Sequence, residues 1–260
     1  MAAHPLADCY TRLSWAQADG QALADEIGSF METNPYRARV QMDGGKGAVV
    51  FCRVVDPATE AEVFDRLSRL FSSYLDSLRA ALNYVTYQVA LLDAPTSPGL
   101  KPDTVEFPIF RDPRLFSKKN RIKQFPDEHR ALFESVQPYD GEREGLWLLH
   151  ELARIGRHRL VHPACVFPFP REHSLFTDTT SILLDMEIID TGPLEDGQEL
   201  VRFMAAAPNG ADPKVSSQLA VTIGIDHPLC HGSSLVTVLR AIGVDVEAAV
   251  RAVVEAIWPE

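Results

Sequence analysis

The sequence predicts an α+β fold in which long helices pack against an antiparallel sheet, and three features carry that prediction. Residues 60–92 repeat apolar side chains every three or four positions. Residues 37–55 form two β-rich runs around a glycine turn. From about residue 164, and clearly over 181–225, the pattern changes to period two. Helical and strand-like segments are grouped rather than alternating, which favours α+β over a parallel βαβ sheet.

Each element follows from local chemistry. Residues 6–32 read as an amphipathic helix with Leu6, Leu13, Leu23, Ile27 and Phe30 among its apolar positions, ended by Pro35. "YRARVQM-DGGKG-AVVFCRVV" then reads as a hairpin whose glycines accept positive φ. Its GGKG lacks the spacing and the following helix of a phosphate loop, so it is a turn.

Asp56 precedes a proline, and Thr59 stands three residues before Glu62, which together start the long helix. Behind them Val63, Leu67, Leu70, Phe71, Tyr74, Leu78, Ala81, Leu82, Val85 and Val89 mark one face. Thirty residues at 1.5 Å each make a rod of about 45 Å. "DAPTSPG" (93–99) breaks it, and a Pro-rich connection without periodic structure runs to about residue 126. Helices are expected again at 127–137 and 142–161, followed by strands at 181–189, 198–206 and 217–225. In 181–189, Ile182, Leu184, Met186 and Ile188 should share the buried face, opposite Asp185 and Glu187. Two short helices, 233–242 and 245–257, should close the chain on either side of Gly243.

The expected organisation is one domain over residues 1–260. Its helical part covers about 1–162 and holds the 37–55 hairpin, a sheet-rich part covers about 163–231, and helices span 233–258. Early hairpin and late meander should share one sheet.

Composition narrows the function classes. Of 260 residues, 46% are hydrophobic and 23% charged, which is ordinary for a globular protein. Cys9, Cys52, Cys165 and Cys230 are scattered without CxxC spacing, as expected for reduced, buried thiols in a cytoplasmic protein. No signal-type N-terminus or membrane-length apolar run is seen. The net charge of −11 argues against duplex DNA as a partner. The acidity is uneven: residues 163–260 hold 5 Lys+Arg against 14 Asp+Glu, whereas 101–162 hold 12 against 10. Within that middle third "RDPRLFSKKNRIK" (111–123) carries six bases and one acid, either a solvated loop or a strip for an acidic partner.

The densest polar cluster is "GRHRLVHP" (156–163), at the end of the 142–161 helix. His158 and His162 are i,i+4 and share a face with Arg154 and Glu151. Four readings compete, in this order. Cations at a helix C-terminus cap it and favour its dipole. Arg154, Arg157 and Arg159 with His158 and His162 bind an anion. Arg157 and His162 cleave RNA, the arginine steadying phosphorane charge and the histidine carrying a proton. His158 and His162 hold a metal with a distant third ligand from His227, Cys230 or His231 of "DHPLCH". No metal and no cofactor is expected. Asp226, His227 and Ser233 supply triad residue types only by composition. Trp15, Trp147 and Trp258 are expected in the core.

Two resemblances add to this reading. The Arg157-x4-His162 spacing resembles the Arg-x4–6-His motif of HEPN-type nucleases, which implies metal-independent action on RNA. "LRAALNYVTYQVA" (78–90), "EFPIF" (106–110), "QPY" (137–139) and "LHELARIGRHRLVHP" (149–163) resemble a widespread bacterial family of uncharacterised proteins. That family pairs a Leu-Arg-Ser-Ala-Leu-Asp-His helix with a later Asn-Ile-Asp-Lys-His-Arg. Here Asn83 and Tyr84 replace its Asp and His, and Gly156 and Arg157 replace its Asp-Lys, so a carboxylate and an imidazole are missing. The likeness implies that Arg79 and Asn83 pack near His158 and Arg159. The resulting expectation is a binding or interaction module, for a protein or an anionic ligand, with its site between the 60–92 helix and the end of the 142–161 helix. The basic strip would be its lid. The alternative is a ribonuclease acting on RNA.

Overall fold

The computed structural model describes residues 5–119, 121–156, 163–166, 173–178, 180–189, 193–219, 221–230 and 232–259. It is α+β. The chain forms two compact units, one of Met1–Leu23, Ser68–Val161 and Val236–Glu260, the other of Ala24–Leu67 and His162–Leu235.

The first unit is helical. It holds α1 (Ala7–Glu32) up to residue 23 and α2 (Pro57–Asp93) from residue 68, then α3 (Pro113–Lys119), α4 (Asp127–Ser135), α5 (Glu144–Gly156) and α6 (Leu235–Ile257) from residue 236. The stripe anticipated on α2 is buried: Phe71, Leu78, Leu82, Val85 and Val89 are at most 2% exposed, as are Phe107, Phe133 and Leu149. Asp56 caps α2 by accepting the Thr59 N–H at 3.1 Å.

The C-terminus is one helix, not two. Gly243 lies inside α6 because the Tyr74 hydroxyl occupies the space where a side chain would be. A Cβ there would stand 2.8 Å from Tyr74 Oη, and that hydroxyl donates to Leu239 C=O at 2.7 Å. Gly145 plays a similar part on α5. Its Cβ would overlap the Ala241 carbonyl of α6, and its N–H donates to Asp245 Oδ2 at 2.7 Å. Here a missing side chain signals helix contact, not a helix end.

The Pro-rich connection is more ordered than expected, with a 3-10 turn at Pro102–Thr104 and α3 inside it. α5 begins at Glu144 rather than 142, because Asp140, Gly141 and Arg143 all adopt positive φ in the turn before it. The tryptophans are not core residues. Trp15 is 52% exposed with the Arg12 guanidinium 4.8 Å above its ring, and Trp147 and Trp258 are half-buried.

The second unit carries the sheet. β1 (Tyr36–Asp43) and β2 (Lys46–Arg53) are the expected hairpin, and they join β5 (Ile182–Ile188) and β6 (Glu199–Ala206) in one antiparallel sheet of order β1-β2-β6-β5. The early hairpin and late strands therefore do share a sheet. The segment 217–225 does not continue it. β7 (Val215–Leu219) pairs with β4 (His173–Thr177), and β8 (Thr222–Ile225) pairs with β3 (Pro163–Val166), as two separate ribbons. Four- and five-residue strands are too short to display a period, so β3 and β4 escape sequence reading.

One buried polar network pins this unit. Tyr36 Oη donates to Glu60 Oε1 at 2.6 Å, and Arg53 Nε lies 3.0 Å from Glu60 Oε2 as an ion pair. Burial, then the hydrogen bond to Glu60, raises the Tyr36 hydroxyl far above the usual phenol range.

Candidate docking surface and the helix-end cluster

Strand pairing sorts the four-stranded sheet into two faces, because directly opposed residues point the same way. On one face Asp43, Lys46, Met204 and Asp185 form a row across β1, β2, β6 and β5, and Gln41, Ala48, Arg202 and Glu187 form the next. A shallow cavity of about 430 Å³ lies over these rows. On the other face Met42, Gly47, Phe203 and Met186 align, with Phe203 lying where a Gly47 Cβ would be.

β5 departs from its expected alternation. A register shift between Leu183 and Asp185 inserts a bulge, so Leu183 faces Ala205 while Met186 and Ile188 face Phe203 and Val201. One extra residue reverses parity. Ile182, opposite Ala206, therefore lies on the face of Asp185 and Glu187 and does not share one with Met186 and Ile188.

The expected burial also fails. Ile182 is 59%, Leu184 58% and Met186 42% exposed, and β5 is the last strand of its sheet. No strand among the described residues pairs its outer edge. The edge's hydrogen-bonding groups can be oriented. Ile189 N–H donates to Leu200 C=O of β6 at 2.9 Å, so the Ile188 and Met186 amides point outward. The Met186 amide is held by the preceding side chain, donating to Asp185 Oδ1 at 2.8 Å. This edge combines apolar exposure, two carboxylates and backbone that no strand among the described residues pairs, a pattern that natural sheets usually suppress.

Of the residues singled out by sequence, Arg79 and Asn83 both bind the Phe107 backbone. Arg79 Nη2 donates to Phe107 C=O at 2.9 Å, and Asn83 Oδ1 accepts Phe107 N–H at 3.1 Å. Gln137 continues the pattern: its Oε1 accepts Phe110 N–H at 2.9 Å and its Nε2 donates to Pro108 C=O at 2.9 Å. The motif-like stretches 78–90, 106–110 and 137–139 thus meet, with polar side chains satisfying an extended backbone that has no strand partner among the described residues. Arg154 pairs with Glu151 at 2.6 Å. Arg157, His158, Arg159 and His162 lie outside the described residues, as does His231.

His227 Nδ1 accepts the Leu229 N–H at 3.2 Å within its own turn. Burial pushes the Cys230 thiol up to about 11. Among the described residues no group of three or more His, Cys, Asp or Glu is arranged to hold a metal.

The basic strip is anchored rather than loose. Phe116 and Ile122 are buried, Arg111 pairs with Glu144 while covering the Trp147 ring at 5.0 Å, and Arg121 lies 3.4 Å from Glu106.

Two further features had no sequence signal. Asp93, at the end of α2, is buried against His129 of α4 with Oδ2 and Nδ1 2.7 Å apart, pinning the two helices. A groove of about 770 Å³ runs between α1 and α6, lined by Tyr10, Leu13, Val250, Val254 and Trp258 and crossed by a Gln17–Glu247 hydrogen bond.

Compared with protein-family models, curated proteins and solved structures, the chain matches none of them. No described helix is long and apolar enough to cross a membrane.

Proposed function

We propose that this chain is a binding module that takes an extended segment of another polypeptide along β5. The observation that carries this reading is the open β5 edge, where Ile182, Leu184 and Met186 stay exposed beside outward-facing backbone amides. Adding a strand there pairs the backbone and covers apolar surface in one step. Seven residues at about 3.3 Å each offer a ladder of roughly 23 Å. The cytoplasm is the assigned compartment, supported by four free thiols. In this reading Arg79 and Asn83 hold the scaffold. We keep Arg154, His158 and Arg159 as an anion-binding cluster, and the likeness to an uncharacterised bacterial family supplies no reaction.

The test is selection of heptapeptides from a random library on the full chain, followed by amide exchange. Selected peptides should slow exchange at Met186 and Ile188 and should lose binding to an Ile182→Lys, Leu184→Lys variant. Selection of none that protects those amides overturns the proposal. RNA cleavage by the purified chain that vanishes in His162→Ala would replace it with the ribonuclease reading.

A further inference from the structure

We infer that the segment received by β5 is cationic and alternating, with basic side chains opposite Asp185 and Glu187 and apolar ones between them. This rests on the docking reading above and specifies its partner.

The register dictates the pattern. A strand added beside β5 continues the two cross-strand rows, so its residues opposite 185 and 187 fall on the face of Asp43, Lys46, Arg202 and Met204. Those opposite 186 and 188 fall on the face of Phe203 and Val201. The first face is acidic at this end. Arg202 is committed to Glu199 at 2.8 Å, which leaves Asp185 and Glu187 as the charges nearest the edge. Opposite-charge pairs directly across a ladder are favourable and like charges are not.

A second copy of the chain is a poor occupant for the same reason. Two β5 strands related by a two-fold, with their faces kept continuous, must pair residues of equal parity. Centring the axis on 185, 186 or 187 sets Asp185 or Glu187 opposite a carboxylate of the partner. A partner with Lys or Arg at i and i+2 removes that conflict. It also relieves the edge, since a cation drawing Asp185 away frees the Met186 amide for the ladder. Asp185 thus guards the edge against neutral and acidic strands and admits basic ones.

The experiment titrates the full chain with a fluorescent Val-Lys-Val-Lys-Val-Lys-Val peptide and reads anisotropy and amide exchange together. Two controls replace Lys by Glu, or keep the composition with the lysines contiguous. The alternating cationic peptide should bind, protect the Ile188 amide and weaken as salt rises. Asp185→Asn with Glu187→Gln should weaken it about tenfold, the sum of two cross-strand charge pairs. Both changes are at exposed positions, so far-ultraviolet circular dichroism should be unchanged. Equal binding of the contiguous-lysine peptide, or no effect of the double variant, overturns the inference. If a Val-Thr-Val-Thr-Val-Thr-Val peptide protects Ile188 and the lysine peptide does not, the docking reading stands and the charge assignment falls. Protection of β5 by self-association, seen as a concentration-dependent dimer in sedimentation, also overturns it.

Discussion

The Asn83 side chain accepts the backbone N–H of Phe107 at 3.1 Å, and one helical turn earlier Arg79 donates to the carbonyl of that same residue at 2.9 Å. Two side chains at i and i+4 of α2 thereby do for an extended segment what a neighbouring strand does in a sheet. A partly buried backbone group left without its partner costs about 1–3 kcal/mol. Asn83→Leu should therefore destabilise the chain by that amount in urea unfolding. Asn83→Asp, which keeps an acceptor at the same place, should lose clearly less. Equal losses for the two would show that the acceptor is not what matters.

Gly243 makes a sharper test, because helix propensity and packing oppose each other. In an exposed helix, alanine for glycine stabilises by roughly 1 kcal/mol. Here the new Cβ would meet Tyr74 Oη at 2.8 Å. Gly243→Ala should lower the unfolding midpoint in the wild-type background and raise it in a Tyr74→Phe background, where the hydroxyl is gone. A double-mutant cycle measures this change of sign.

In the sheet-bearing unit, Glu60 is 7% exposed and its charge is shared between Tyr36 and Arg53. Tyr36→Phe removes the donor to Oε1 and should cost about 1–3 kcal/mol. Glu60→Ala should cost more, since it opens a void and strips both partners at once. A Tyr36→Phe variant as stable as the parent in urea would show that water replaces the hydroxyl without loss.

What the sequence disclosed depended on how many residues shared a signal. α2 was legible because ten apolar positions repeat over its length, and the hairpin because a glycine turn separates two β-rich runs. β5 was misread for two reasons, the first being a bulge after Leu183 that shifts parity, which no pattern of apolar and acidic residues announces. Period two said that β5 is a strand but not that it ends a sheet, so its apolar residues looked buried. Arg79 and Asn83 are half-buried beside the α2 stripe. Their partner, the Phe107 backbone, could not be seen because main-chain groups leave no trace in the residue alphabet.

The cysteines give a prediction with a definite pH window. Cys9, Cys165 and Cys230 are buried, and Cys52 is half-buried. Burial pushes the Cys9 and Cys230 thiols up to about 11 and raises Cys165 as well. The thiolate is the species that reacts, so alkylation of the native chain by iodoacetamide at pH 8 should fall on Cys52 first. The other three should label only when the chain unfolds. The same shifts set the alkaline limit. A thiol whose pKa is raised in the fold contributes fully below its unfolded value, near 8.5. That contribution declines as pH rises toward the folded value, because the unfolded chain releases the proton first. Stability in urea should thus be level in this respect up to about pH 8.5 and fall progressively between there and about pH 11. Cys9→Ala with Cys230→Ala should flatten that decline. Mass spectrometry after a timed pulse of reagent reads the labelling order, and prompt modification of Cys9 or Cys230 in the folded chain would contradict their burial.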